Sequence, residues 1–432
     1  MTADSILQEL HWRGLIRQST DEAGIAELLA KPATVYAGFD PTAESLHVGH
    51  LLPLMLLRRF QQCGHRPICL IGGATGMVGD PSGKSAERNL LDRETLERNV
   101  ASIRSQVGRL LRFEGDDAAV LVNNFDWMRG FSFLDFLRDV GKNFPVNVML
   151  AKDSVRSRIE REDSGLSYTE FSYMLLQAYD FVYLAREHGC TLQIGGSDQW
   201  GNITAGTDLG RRMLSKQLYG MTCPLLTTSS GVKMGKTERG AIWLDAELTS
   251  PYEFYQYFVN VADDDVMNVI RLLSDIGREE ADSLAAIPQE EHHKREPQRR
   301  LAESMTRLVH GEDGLQSAQR ATQILFGGEI DSLSRRELQS IFHDVPHERG
   351  ERSSIDNGSL AVIDAVVLAG LAKSKSEARR AIEGGSIYLN NRRVESVDRT
   401  LSTTDLLGDT SVVLRSGKKR YAILDFEGGE RT

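Results

Sequence analysis

The stretch Tyr36-Ala-Gly-Phe-Asp-Pro-Thr-Ala-Glu-Ser-Leu-His-Val-Gly-His50 constrains this chain more than any other. The apolar run 34–39 ends a buried strand, Asp40-Pro41-Thr42 turns the chain, and a helix begins near Gly49 and runs through Leu57. Strand, turn and helix make the opening βα unit of a nucleotide-binding sheet. Ligands in such sheets sit beyond the carboxyl ends of the strands, over a helix N-terminus whose unpaired N–H groups and positive dipole end favour phosphate. His47 and His50 fall at that point, where two imidazoles can hydrogen-bond phosphate oxygens while Gly49 lets a flat base approach the backbone. Pro53 is expected in the helix's first turn, where a missing N–H costs nothing. An isolated His-x-x-His is more often a solvated loop, so the reading rests on a second motif.

That motif is Lys233-Met-Gly-Lys-Thr237, inside a Ser-, Thr- and Gly-rich stretch from 227 to 240. Gly231 and Gly235 make it a mobile loop, and two lysines with a hydroxyl suit a clamp on the outer phosphates of a nucleotide. Between the motifs, a strand over 66–72 exits into Gly72-Gly-Ala-Thr-Gly-Met-Val-Gly-Asp80, whose terminal carboxylate can pair with a substrate ammonium. A helix over 169–183 carries Tyr173, Gln177 and Asp180 at i, i+4 and i+7, so a phenol, an amide and a carboxylate share one face. Polar groups converging from an otherwise apolar helix are the usual anatomy of a small-molecule site. A strand over 191–194 exits at Gly195-Gly-Ser-Asp-Gln-Trp200. Asp198 there can accept from ribose hydroxyls, and Gln193 and Gln199 can contact a substrate carboxylate. A helix over 208–214 and a last strand over 223–226 complete this part.

Beyond Thr249 only helical periodicity appears, over 252–259, 265–273, 298–309 and 315–324. Residues 344–356 read as a linker by composition. A helix over 360–371 follows, then a capping box, Ser374-Lys-Ser-Glu377, opening a second helix, and strands over 387–389 and 394–397 that bracket Asn390-Asn391 as a hairpin. The net charge of −10 argues against a protein that coats nucleic acid nonspecifically. From Gly358 onward, however, twelve Lys and Arg stand against ten Asp and Glu, so the tail is the basic part of the chain. No apolar run reaches membrane-spanning length, and the N-terminus lacks the apolar core of a signal peptide, which points to the cytoplasm. The four cysteines lack metal-binding spacing and read as reduced thiols.

His-Val-Gly-His and Lys-Met-Gly-Lys-Thr, in this order, resemble the paired signatures of class I aminoacyl-tRNA synthetases. The blocks around them, Tyr36-Ala-Gly-Phe-Asp-Pro-Thr, Gly72-Gly-Ala-Thr-Gly-Met-Val-Gly-Asp-Pro-Ser, Thr169-Glu-Phe-Ser-Tyr-Met-Leu-Leu-Gln-Ala-Tyr-Asp and Gln193-Ile-Gly-Gly-Ser-Asp-Gln-Trp-Gly-Asn, resemble tyrosyl-tRNA synthetases of the bacterial type. The tail resembles an S4 RNA-binding domain. The resemblance implies an α/β fold: a Rossmann-like parallel-sheet catalytic domain over 1–228, with an inserted dimerisation region at about 84–165. A lysine loop and helical anticodon-side domain over 229–330, a linker region over 331–356 and an S4-like α+β domain over 357–432 would follow. It implies a tyrosine–tRNA ligase that forms tyrosyl-adenylate from ATP and then loads tRNA(Tyr), working as a homodimer, with Mg2+ arriving with ATP and no dedicated protein metal site. His47, His50, Lys233, Lys236 and Thr237 would act on the phosphates, with Lys84 and Arg88 assisting. Tyr36 and Asp180 would read the substrate phenol, Asp80, Tyr173 and Gln177 its ammonium, and Gln193 and Gln199 would also line the tyrosine site. Gly38, Asp40, Thr42, Gly49, Gly196 and Asp198 would join His47, His50 and Lys236 around ATP. Arg379, Arg380, Arg392, Arg393, Lys418, Lys419 and Arg420 would contact tRNA. Val48 stands where the class pattern has Ile, and Gly235 and Thr237 where it has two serines. The alternatives are the sister tryptophan enzyme, which the Tyr36 and Asp180 pairing opposes, and a synthetase-fold RNA-binding protein without catalysis, which would not need both histidines and both lysines.

The aromatic segment Phe131, Phe133, Phe136 and Phe144 fits core or subunit interface by its residues, and the dimer implied by the resemblance favours the interface.

Overall fold

The computed structural model describes residues 3–82, 92–152, 155–156, 159, 166–237, 240–325, 327–328, 330, 338, 341–342, 345–417 and 420–426. The chain divides into two compact units, 1–249 with 254–311, and 250–253 with 312–432. The first unit therefore holds the lysine loop and most of the helical segment together with the sheet.

Its sheet runs β1-β6-β5-β2-β3-β4, with β1 Gln18–Ser19, β2 Thr34–Phe39, β3 Arg66–Ile71, β4 Val120–Asn123, β5 Cys190–Gly196 and β6 Tyr219–Cys223. All neighbours are parallel except β1 with β6. Parallel sheets are covered on both faces, and β2 buries Val35, Tyr36, Ala37 and Phe39 accordingly. The first βα crossover leads from β2 to β3 on one side, while β5 joins β2 on the other. Strand order thus reverses at β2, and a crevice opens there beyond the carboxyl ends of β2 and β5.

Helix α1 (Ala3–Arg13) and helix α2 (Glu22–Leu29, capped by Asp21) precede β2. Helix α3 (Val48–Gln62) follows it and is apolar nearly all round, burying Leu51, Leu52, Leu54, Met55, Leu56, Leu57 and Phe60, as a core helix must. Because His47 is its N-cap, Pro53 lies in the second turn and not in the first as expected. The reason is the cap, which starts the helix at Val48.

Helix α4 (Arg93–Leu110) leads to β4, and three short helices, α5 (Phe125–Met128), α6 (Phe133–Asp139) and α7 (Val146–Leu150), carry the aromatic segment. Phe131, Phe136 and Phe144 pack inward against Met149, Met174 and Tyr179, whereas Phe133 stays 65% exposed. The segment is therefore split between core and surface. Helix α8 (Tyr168–Glu187) and helix α9 (Trp200–Leu214) flank β5. Helix α9 begins eight residues before the expected start. Its glycines weaken intrinsic propensity, but burial of Ile203, Ala205 and Leu209 outweighs that. Strand β6 ends at Cys223, where the expected strand was to begin, because Pro224 has no N–H for the ladder.

Strands β7 (Lys236–Thr237) and β8 (Gly240–Ala241) pair after the lysine loop. Helix α10 (Pro251–Val259), helix α11 (Asp263–Leu273), helix α12 (Arg278–Ala285) and helix α13 (Glu296–Leu325) follow, the last broken at Gly311, whose φ is +75°.

In the second unit a five-stranded sheet runs β11-β10-β12-β13-β9, with β9 His347–Arg349, β10 Ile387–Leu389, β11 Arg392–Arg393, β12 Ser411–Ser416 and β13 Arg420–Asp425. The expected linker over 344–356 is corrected in part: β9 pairs with β13, and helix α14 (Arg352–Asp356) buries Ile355. A polar composition hid these, since an edge strand needs few apolar residues. Helix α15 (Val362–Leu368) is shorter than expected, and helix α16 (Lys375–Glu383) is capped by Ser374 accepting from the Glu377 N–H. Asn390 and Asn391 both take positive φ, 49° and 60°, so the hairpin turns within two residues. Its return strand is therefore Arg392–Arg393 and not 394–397.

No helix among the described residues is long and apolar enough to cross a membrane. Cys63, Cys69, Cys190 and Cys223 are free thiols.

Candidate active site

A cavity of about 350 Å³ opens at the carboxyl ends of β2, β5 and β6, beside the start of α3 and the lysine loop. Its lining includes Tyr36, Gly38, Asp40, Thr42, His47, Gly49 and His50 from the first βα unit, then Asp80, Tyr173, Gln177 and Asp180. Gln193, Gly196, Asp198, Gln199, Lys233 and Lys236 complete the set. Residues from five separated stretches of chain thus meet in one place. Of the remaining expected residues, Lys84, Arg88, Lys418 and Lys419 lie outside the described residues, as does the side chain of Thr237.

At the cavity's inner end, Tyr36 is fully buried with its ring 5.2 Å from that of Phe181, and its hydroxyl has no hydrogen-bond partner among the described residues. Burial, reinforced by Asp180, pushes this phenol well above its ordinary value, so it stays a proton donor. Asp180 on α8 is buried too, and each of its oxygens is held: Oδ2 accepts from Asn124 Nδ2 at 3.0 Å and Oδ1 from Trp127 Nε1 at 2.9 Å. Burial nevertheless raises its pKa to about 8, against the pull of these two donors. Gln193 is in register with Tyr36 on the neighbouring strand, so the two side chains share a face of the sheet and belong to the same end of the cavity. Its Oε1 is also buried without a partner among the described residues.

A second group surrounds Asp80. Its Oδ1 accepts from the Ser82 N–H at 2.9 Å and its Oδ2 from Gln199 Nε2 at 2.7 Å. Asn202 donates to Gln177 Oε1 at 3.0 Å and to Gln199 Oε1 at 3.2 Å, which fixes both glutamine amides with oxygen toward Asn202. Tyr173 donates its hydroxyl proton to Asp40 Oδ2 at 2.8 Å, leaving its oxygen an acceptor. Asp40 Oδ1 accepts from Thr75, which in turn accepts from Asn124. One polar network therefore runs from Asp180 through Asn124 and Thr75 to Asp40 and Tyr173.

At the start of α3 the two histidines cap each other's backbone. His47 Nδ1 accepts the Gly49 N–H at 3.0 Å, and His50 Nδ1 accepts the His47 N–H at 3.1 Å. This is a capping box built from imidazoles. A backbone N–H can only donate, so each Nδ1 is the acceptor and each neutral ring carries its proton on Nε2. The spacing in the sequence hides a further requirement. A Cβ on Gly49 would stand 2.8 Å from His47 Cε1, so the glycine is what lets the His47 ring close on the helix start.

The lysine loop is joined to this cap. Val48 N–H donates to Ile242 O and Ile242 N–H to Gly235 O, while His47 and Trp243 form a bridge. Gly235 has φ +91°, and a Cβ there would lie 2.9 Å from the Gly49 nitrogen. Both facts explain glycine where the class pattern has serine. Gly235→Ala is expected to slow adenylate formation about tenfold, the left-handed strain of about 1–2 kcal/mol displacing the loop, with tyrosine affinity unchanged by equilibrium dialysis.

Asn124, Trp127, Thr75 and Asn202 were not singled out from the sequence. Asn124 immediately follows β4, so the rule that sites gather at strand ends could have found it. Trp127, stacked on Tyr183 at 4.2 Å, gave no comparable signal. Among the described residues no group of three or more His, Cys, Asp or Glu is placed to hold a metal ion.

A Rossmann-type crevice with a histidine-capped helix start and a lysine loop at one cavity has the architecture of a class I synthetase, and a family model described as class I tRNA synthetases (W and Y) matches residues 29–327. A second, the C-terminal domain of SYY-like tyrosine–tRNA ligases, matches 337–424. A tyrosine–tRNA ligase of Rhodopirellula baltica is 59% identical, over 98% of this chain and 97% of the relative, and one of Staphylococcus epidermidis is 49% identical, over 98% and 100%. The crystal structure of a C-terminally truncated mitochondrial tyrosyl-tRNA synthetase of Aspergillus nidulans superposes with a TM-score of 0.67 at 32% identity, covering 74% of this chain and 94% of that one. The chain belongs to the tyrosine–tRNA ligase family of class I tRNA synthetases.

Proposed function

We infer that the chain performs the reaction of this family in two steps at this cavity. The carboxylate of tyrosine attacks the α-phosphorus of ATP, the bond to the β-phosphate breaks, and tyrosyl-adenylate and pyrophosphate form. A hydroxyl of the terminal ribose of tRNA(Tyr) then attacks the carbonyl carbon, and AMP leaves. ATP is a substrate, and Mg2+ comes with its phosphates. The observation that carries the choice of amino acid is the buried pair Tyr36 and Asp180: one fixed donor and one acceptor at the inner end of the cavity match a phenol. Pyrophosphate exchange into ATP, with tyrosine, phenylalanine and tryptophan compared, tests it. Exchange with tyrosine alone is expected; exchange with tryptophan, or with none of the three, would overturn it.

Tyr36 donates to the substrate phenol oxygen, whose own proton goes to Asp180. Gln193 completes that end of the cavity. Asp80, Tyr173 and Gln177 offer oxygens to the ammonium, oriented by Gln199 and Asn202. His47 and His50 donate from Nε2 to the α-phosphate and nearby ribose, and Lys233 and Lys236 hold the β- and γ-phosphates as pyrophosphate departs. Gly38, Asp40, Thr42, Gly49, Gly196 and Asp198 border the nucleoside. Positioning and charge stabilisation supply this chemistry without a covalent enzyme intermediate.

A substrate phenol that donates to Asp180 favours its ionised form, the stronger acceptor, and burial raises that group to about 8. Tyrosine binding near neutral pH should therefore expel a proton, and its apparent Kd should fall about an order of magnitude between pH 6.5 and 8. Titration calorimetry in buffers of different ionisation heat measures both; Asp180→Asn should abolish the slope. The sign for stability is opposite. With a folded-state pKa above the unfolded one, the contribution of Asp180 is fully present below about pH 4 and is lost as pH rises through about 8.

The tail contacts tRNA through Arg379, Arg380, Arg392, Arg393 and Arg420, all exposed, in the manner of shape-reading RNA modules. The enzyme is a homodimer of the cytoplasm. Phe133 and Leu134, 65% and 75% exposed, with Val146, Val148 and Leu150, support a subunit contact.

A further inference from the structure

The lysine loop folds back on itself: Met234 N–H donates to Leu226 O at 2.9 Å, Thr228 N–H to Val232 O at 2.8 Å, and Thr227 bridges to Lys233. Lys233 and Lys236 are themselves exposed, as are Ser229 to Val232 at the tip. The loop is gripped from outside at two backbone positions. Gly235 N–H donates to the hydroxyl of Tyr257 on α10 at 2.8 Å, and Ser229 N–H donates to Oδ1 of Asp265 in the first turn of α11 at 2.6 Å. Both gripping side chains are packed. Asp265 is buried and the Tyr257 ring meets Phe258 edge-on at 5.1 Å. Gly235, gripped at its N–H, also accepts the Ile242 N–H at its own carbonyl, and Ile242 in turn holds the first N–H of α3. The hold on the loop therefore bears on the spacing between the lysines and the histidine cap.

We propose that Tyr257 and Asp265 are positioning residues for adenylate formation, fixing the loop backbone at Gly235 and Ser229 so that Lys233 and Lys236 meet the outer phosphates of ATP. This rests on the lysine roles given above. Neither residue is part of the cavity lining, so each acts through the loop. A preorganised cation stabilises developing charge without rearranging at the moment of reaction, and a swinging lysine does not.

The test is single-turnover adenylate formation by the full chain, with tyrosine affinity measured alongside. Tyr257→Phe and Asp265→Ala should each slow the step about tenfold with tyrosine Kd unchanged, which also shows that the variants fold. Asp265→Asn, which keeps an oxygen acceptor, should recover most of the rate. In a background carrying Lys233→Ala and Lys236→Ala, Tyr257→Phe should cost little, because the groups it positions are gone. Equal losses in both backgrounds, or no loss in the first, would overturn the proposal while leaving the lysine roles standing. Full activity of the double lysine variant would instead overturn those roles, and the proposal with them.

Discussion

Lys236→Ala is expected to lower the rate of adenylate formation about a hundred- to a thousandfold, the usual cost of removing a group aimed at developing transition-state charge, while tRNA affinity barely changes. Lys236 lines the cavity that also holds His47, His50, Asp80 and Asp180. Its backbone is held by the pairing of Lys236–Thr237 with Gly240–Ala241. The pyrophosphate leaving group gains charge as its bond to the α-phosphorus breaks, and an ammonium placed there stabilises that state more than the ground state. The basic tail, a separate compact unit, keeps its arginines in this variant. Pyrophosphate exchange and filter binding of tRNA measure the two quantities. Equal loss of both would sink the assignment of roles.

Asp180→Ala is expected to lower kcat/KM for tyrosine about a hundredfold, the scale of a lost charged hydrogen bond in a closed site, and to leave the slow use of phenylalanine nearly unchanged. Discrimination between the two amino acids therefore falls by the same factor. The loss has two parts: the substrate phenol loses its acceptor, and Asn124 Nδ2 and Trp127 Nε1 lose theirs. Asp180→Asn separates them, since its single amide oxygen satisfies one donor while the amide nitrogen opposes the other. It should retain fold and show a lowered tyrosine preference. Steady-state kinetics with both amino acids, beside thermal melts, would distinguish this from simple destabilisation; a variant that kept its preference for tyrosine would remove Asp180 from phenol recognition.

Much of the cavity's lining was legible in the sequence. The run 34–39 is apolar and β-rich because it is buried on both faces of a parallel sheet, and it forms the strand Thr34–Phe39 as expected. The i, i+4, i+7 spacing of Tyr173, Gln177 and Asp180 keeps them on one face of α8, and all three reach the cavity. Where local signals competed, they misled. Glycines masked the first half of α9, Pro53 suggested a first turn that the histidine cap had already used, and polar residues hid the edge strand His347–Arg349.

Periodicity and turn chemistry act between near neighbours, so the chain alone determined its α/β class, the two signature motifs and the residue types that serve a phosphate or a phenol. Partnership across the sheet is a different matter. That Asn124 and Trp127 hold Asp180, that Asn202 orients Gln177, and that Tyr257 meets Gly235 depend on separations of 56, 53, 25 and 22 residues. No local period spans such distances. Only the packing of strands and helices brings those atoms within hydrogen-bond reach, and only there do burial and pairing decide which proton each group keeps.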